Sequence, residues 1–327
     1  MTPRRAAACL LLVALVGLWI LAVADDDSSA DAWAGSTAAV NVFARGVGQP
    51  RPILNIAHGG ASSLAPQNTL AAGRKAFAIG ADVWGVDVRP SADGCLVLMH
   101  DDTLDRTTNV EALFPERAPW TVASFTLEEI RRLDAGSWFI DEDPFAQIEA
   151  GNVPEVVFLA YVGEPVPTLR EALEFVATHG GLIDVEVKPL GEASREGIAA
   201  RLVDLIHETG TAGRALVSSF DHDLLREVKR LDPSIPIGAL AVLAPPNTVE
   251  YLDALAADVY LPSVVGFLGD LLGRLAERGI KVFVWTHNTE SQLEYAIDLE
   301  GVAGIYTDFP QRLAALLDER FGTEGSS

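Results

Sequence analysis

Five side chains stand inside or at the end of short apolar runs where they could act together. His58 follows the run 53–57, Asp87 lies in 83–88, His100 closes 96–100, and Glu186 and Lys188 sit at the end of 182–187. Two imidazoles can accept and deliver protons near neutral pH. Carboxylates hold hard cations, and a cation with a lysine can neutralise charge developing on phosphate oxygens. The set is what metal-assisted phosphoryl chemistry requires. Singly, each residue has a plainer reading: a strand-end histidine is commonly a loop or packing residue, and a carboxylate near a lysine is usually a surface pair. Other polar groups follow later runs: Ser218-Ser219, Trp285-Thr286-His287-Asn288 and Thr307-Asp308.

These residues meet only if the chain brings the ends of its apolar runs together. The runs 53–57, 83–88, 96–100, 182–187, 215–219, 235–240, 259–261, 281–285 and 304–307 alternate with stretches whose apolar residues have helical spacing. Such alternation predicts parallel strands joined by crossover helices. About eight repeats point to an α/β fold, a (β/α)8 TIM barrel, in which active residues cluster at the carboxyl ends of the strands. Nine runs are one too many. Only residues 89–95 separate the second from the third, too few for a crossover helix, so that unit is irregular. Residues 109–167, with Trp120, Trp138, Phe139 and Phe145, form an insertion between the third and fourth strands, either a lid or a structural cap.

The ordered motifs resemble the glycerophosphodiester phosphodiesterase family. His58-Gly59-Gly60 followed by Pro66-Gln67-Asn68-Thr69 is similar to its H-R-G and P-E-N-T signature, and Val86-Asp87-Val88-Arg89 with Asp93-Gly94 to its second block. His100-Asp101-Asp102-Thr103-Leu104 matches the third, while Glu186-Val187-Lys188, Ser219-Phe220, Trp285-Thr286 and Ile305-Tyr306-Thr307-Asp308 match the later ones. The resemblance implies that His58 and His100 form the acid–base pair, that Asp87 and Glu186 ligate a divalent cation, Mg²⁺ or Ca²⁺, and that Lys188 faces the phosphate. It places Trp285 at the pocket wall near the alcohol, with Gln67, Asp102, Ser219, Asn288 and Asp308 as further polar lining. The implied activity is hydrolysis of a small glycerophosphodiester to an alcohol and sn-glycerol 3-phosphate. Three positions depart from the family pattern: Gly59 replaces a phosphate-gripping Arg, Gln67 a Glu, and Gly85 the first carboxylate of a Glu-x-Asp ligand pair. Asp101, Asp102 or a substrate oxygen could fill that gap, with His287 as an added donor. The alternatives are a phosphodiester-binding barrel with weakened catalysis and a lysophospholipase D-like enzyme. An apolar groove under the insertion would mark the latter.

Composition bounds the rest. The chain has 327 residues, 49% of them hydrophobic, enough for a large core. A formal net charge of −22 argues against broad contact with nucleic acid or anionic lipid. Cys9 and Cys95 are the only cysteines, so no thiolate metal cage can form. Arg4-Arg5 precedes an uncharged stretch through Ala24. It reads as a signal peptide or an N-terminal membrane anchor over residues 1–24, and either places the body outside the cytoplasm. Residues 25–50 read as a polar linker, 51–320 as the barrel domain and 321–327 as a disordered tail.

Overall fold

The computed structural model describes residues 41–45, 51–190, 197–263 and 270–322. The expected leader, most of the linker and residues 323–327 lie outside the described residues. Nine strands form one sheet: β1 (Leu54–His58), β2 (Val83–Pro90), β3 (Leu96–Leu98), β4 (Leu182–Val187), β5 (Ala215–Ser219), β6 (Ile237–Ala241), β7 (Val259–Pro262), β8 (Lys281–Val284) and β9 (Val302–Thr307). Eight run parallel, and β1 pairs with both β2 and β9, which closes the barrel. The ninth run is the extra one: β3 pairs antiparallel to β2, Val88 opposite Leu98, and extends it as a hairpin.

The longer helices are α1 (Leu70–Ala78), α2 (Leu169–His179), α3 (Ile198–Glu208), α4 (His222–Leu231), α5 (Thr248–Leu255), α6 (Asp270–Glu277), α7 (Glu290–Asp298) and α8 (Pro310–Phe321). Their starts are written in the sequence. Thr69 accepts from Ala72 N at the head of α1, and Thr168 with Glu171 and Thr289 with Gln292 form reciprocal capping boxes on α2 and α7. The strands are buried on both faces, as a parallel barrel wrapped in helices demands. Trp84 turns outward, against Gly73 of α1 and edge-on to Phe175 of α2. Its neighbour Gly85 turns inward.

The insertion is a cap rather than a lid. Phe125, Ile130, Leu133 and Val166 pack on Val97, Met99 and Leu104, while Phe139, Val153 and Tyr161 pack on Ala57, Ala61 and Ala65. Tyr161 Oη donates to Leu64 O at 3.1 Å, so the cap is pinned to the loop after β1.

At the opposite end of the barrel, residues 41–45 of the expected linker pack against the strands. Phe43 is fully buried and meets Phe283 edge-on, with ring centroids 6.1 Å apart. Asn41 Nδ2 donates to Ala212 O and Ala215 O, each at 2.8 Å, and Arg45 Nε donates to Ala257 O at 2.7 Å. Residues 41–45 therefore stopper the barrel at the amino ends of its strands. The body of the fold begins earlier than position 51.

Candidate active site

His58 ends β1, and its Nδ1 lies 2.8 Å from Asp308 Oδ1, in the turn after β9. Asn288 Nδ2 donates to the other Asp308 oxygen at 2.6 Å, and Asn288 Oδ1 accepts from Asp308 N at 2.9 Å. Burial acts to lower the His58 pKa, but the hydrogen bond and charge of Asp308, then the charge of Asp87, outweigh it and raise it to about 9. Asp308 responds in kind: burial pushes its carboxyl up, and His58 and Asn288 hold it below its ordinary value. With Nδ1 donating to Asp308, Nε2 is the nitrogen left for chemistry.

His100 follows β3 and has a carboxylate of its own. Its Nδ1 lies 2.7 Å from Asp101 Oδ1, and Asp101 also pairs with Arg106. Arg89 Nε donates to His100 O at 3.1 Å and fixes the backbone there. Each imidazole thus has an acidic partner that orients it.

Both histidines act electrostatically on a buried charge cluster. Asp87 on β2 is opposite Glu186 on β4 in the sheet register. Lys188 Nζ spans them, 2.8 Å from Asp87 Oδ1 and 2.7 Å from Glu186 Oε1. Asn68 clamps Asp87 twice: its Nδ2 donates to Oδ2 at 2.7 Å, and its Oδ1 accepts from Asp87 N at 3.0 Å. Burial would raise the Asp87 pKa, yet the charge of Lys188, then of His58 and His100, holds it well below the usual carboxylate range. Glu186 shares the same lysine but faces the Asp87 charge, and burial followed by that charge pushes it up. Burial works against the Lys188 ammonium, and the two carboxylates more than restore it.

His58, His100, Glu186, Lys188 and Trp285 line one open cavity of about 180 Å³. Trp285 is set by a 2.8 Å hydrogen bond from Nε1 to Leu261 O and by edge contact with Phe220. Phe220, Leu240, Leu261 and Trp285 make the apolar wall, and no residue of the insertion contributes. The apolar groove expected of a lysophospholipase-like enzyme under residues 109–167 is therefore not where this cavity lies.

Other expected residues fall elsewhere. Ser219 is fully buried, donates to Val187 O at 2.7 Å and so couples β5 to β4, outside the cavity lining. Asp102 is exposed, with its carbonyl accepting from Val122 N. Gln67 lies beside Gly59, outside the cavity lining, and its neighbour Asn68 makes the polar contact with Asp87. Asn288 acts on Asp308 rather than on the cavity. Buried His287, both ring nitrogens without a partner, is likewise outside the lining.

Two residues that sequence reasoning missed complete the site. Asp184, fully enclosed on β4, also lines the cavity. Its Oδ2 accepts from Tyr306 Oη at 2.6 Å and from Ser218 Oγ at 2.9 Å. Tyr306 lies over Gly85: a Cβ there would meet its Cε1 at 3.3 Å.

The molecule resembles solved structures along most of its length. An Oleispira antarctica phosphodiesterase in complex with the product sn-glycerol-3-phosphate superposes with a TM-score of 0.67 at 28% identity, over 82% of this chain and 97% of that one. A putative glycerophosphoryl diester phosphodiesterase from Silicibacter pomeroyi gives 0.69 at 26% identity, over 84% and 95%. The sequence pattern of the glycerophosphoryl diester phosphodiesterase family matches residues 58–312. The chain belongs to that family. A glycerophosphodiester phosphodiesterase of Caldanaerobacter subterraneus is 34% identical over 267 residues, 81% of this chain and 97% of the relative. The protein is accordingly a phosphoric diester hydrolase.

At two of the altered family positions the surroundings leave little room for a side chain. Gly59 has φ +65, and a Cβ on it would come within 2.9 Å of Ser62 Oγ, so the family's arginine does not fit this turn unstrained. The Gly85 position is closed by the Tyr306 ring. The family is generally dependent on divalent metals. Among the described residues no three His, Cys, Asp or Glu side chains are arranged to hold an ion, and Lys188 lies in contact with both Asp87 and Glu186. The donor chemistry nonetheless fits a hard cation: oxygen ligands only, more carboxylate than ammonium, and a buried Asp184 Oδ1 with no hydrogen-bond partner.

Proposed function

We propose that the protein hydrolyses glycerophosphodiesters to an alcohol and sn-glycerol 3-phosphate, with His58 and His100 as its acid–base pair. The observation that carries this is the single cavity lined by both imidazoles, Glu186 and Lys188. His58, held protonated by Asp308, donates its Nε2 proton to the departing alkoxide as the P–O bond breaks. His100, oriented by Asp101, accepts a proton from the water whose oxygen forms the new P–O bond. Lys188 supplies positive charge to the phosphoryl oxygens. Asp87 and Glu186 would hold a divalent cation, Mg²⁺ or Ca²⁺, which when bound polarises those oxygens. The small cavity suits a polar headgroup, and Trp285 with Phe220 forms the wall against which the alcohol rests. The basic pair and uncharged stretch at the amino terminus support a place outside the cytoplasm.

Turnover of glycerophosphocholine, glycerophosphoethanolamine and bis(glycero)phosphate, followed by release of glycerol 3-phosphate with Mg²⁺ or Ca²⁺, tests the proposal. Release from at least one diester is expected. None from any, in folded protein, overturns it.

A further inference from the structure

We infer that Asp184 supplies, from β4, the cation-ligating carboxylate that β2 lacks at Gly85. The inference rests on the metal-supported phosphodiesterase reading above. Gly85 and Asp184 are direct partners in the β2–β4 register, one step deeper in the barrel than the Asp87–Glu186 pair. Side chains two apart on a strand share a face, so Asp184, Glu186 and Lys188 project together into the barrel. A ligand lost from one strand thus has a carboxylate beside its vacated position on the next.

The state of that carboxylate points to a ligand. Asp184 is 2% exposed and lines the cavity. Tyr306 and Ser218 both bind Oδ2, which leaves Oδ1 buried and without a hydrogen-bond partner. A lone buried carboxylate oxygen is costly, and such groups are normally paired or coordinate metals. Tyr306 has two tasks in this arrangement. Its ring fills the volume of the missing side chain at Gly85, and its hydroxyl fixes Asp184. Lys188 contacts Asp87 and Glu186, whereas Asp184 has no basic side chain at contact among the described residues and is held by two hydroxyls alone; a divalent cation would supply the missing positive partner. Its binding requires Lys188 to release a carboxylate, which frees the ammonium for the phosphate.

Calorimetric titration with Mg²⁺, Ca²⁺ and Mn²⁺ without substrate, paired with thermal unfolding, tests this on the full chain. Wild type should bind at least one cation and unfold at a higher temperature with it. Asp184→Asn should remain folded, with an unfolding temperature in chelator close to that of wild type, because its amide oxygen can still accept from Tyr306 and Ser218. Its cation affinity should fall at least tenfold. Tyr306→Phe, which keeps the ring and the carboxylate, should retain the larger part of the affinity. A loss below tenfold in Asp184→Asn, or an equal loss in Tyr306→Phe, overturns the assignment, as does wild type that binds none of the three ions. Turnover of glycerophosphocholine by wild type is read separately. Its presence alongside unchanged cation binding in Asp184→Asn sinks the ligand assignment alone, and its absence sinks the hydrolase reading beneath it.

Discussion

The Tyr306 ring stands 3.3 Å from where a Cβ on Gly85 would sit, closer than most side chains pack. Restoring the family's glutamate at this position alone would force that side chain into an aromatic ring held by Asp184. Gly85→Glu should therefore destabilise the barrel by about 1–3 kcal/mol, the usual cost of overpacking a core, and should not raise activity. Chemical denaturation and turnover together check this. A more active, equally stable variant would show that the ring moves aside freely.

The His58–Asp308 pair predicts a pH dependence. The folded-state pKa of His58, about 9, lies above the ordinary 6.5. Its contribution to stability is therefore complete below 6.5 and disappears as pH rises through about 9. A proton donor with that pKa gives an alkaline fall in kcat/KM over the same range. Asp308→Asn removes the partner that raises it, so the fall should move toward neutral pH. An unmoved profile would mean that another group is the donor.

Lys188 neutralises Asp87 and Glu186 at contact distance in a buried setting. Breaking such a cluster by removing one partner costs about 3–5 kcal/mol. Lys188→Met should show that loss in urea denaturation at pH 8 and a smaller one at pH 5, where the stranded carboxylates take up protons. An equal loss at both pH values would assign the effect to packing.

Phe43 closes the end of the barrel remote from the cavity. Phe43→Ala should cost about 3–5 kcal/mol, as for other buried aromatic truncations, with KM unchanged when assayed well below the unfolding temperature. A changed KM with little loss of stability would contradict its role as a stopper.

Much of this was legible in the sequence. The strand–helix alternation specifies the barrel, and the strand-end positions of His58, His100, Glu186, Lys188 and Trp285 specify one rim. The polar alternation Asp184-Val185-Glu186-Val187-Lys188 was the available signal for Asp184, since alternate residues of one strand share a face. It was obscured by the apolar neighbours Ile183 and Val185. Tyr306 reads in sequence as one more core aromatic, and only its contact with Gly85 gives it a role. Asn68 and Asn288 bind other side chains of the site rather than its cavity. Such partnerships join segments far apart in sequence and leave no local pattern. The stopper at 41–45 was hidden in an alanine-rich stretch because its one large anchor, Phe43, makes its contacts across the whole chain.

The central claim is that two imidazoles on one cavity perform acid–base cleavage of a phosphodiester. The direct test is glycerol 3-phosphate release, at saturating divalent cation, by wild type, His58→Ala and His100→Ala, each confirmed folded. Each variant should be slower by roughly 10²–10⁴-fold, the usual contribution of a positioned proton-transfer group. Either variant retaining more than about a tenth of the wild-type rate would fall outside that range and contradict the account.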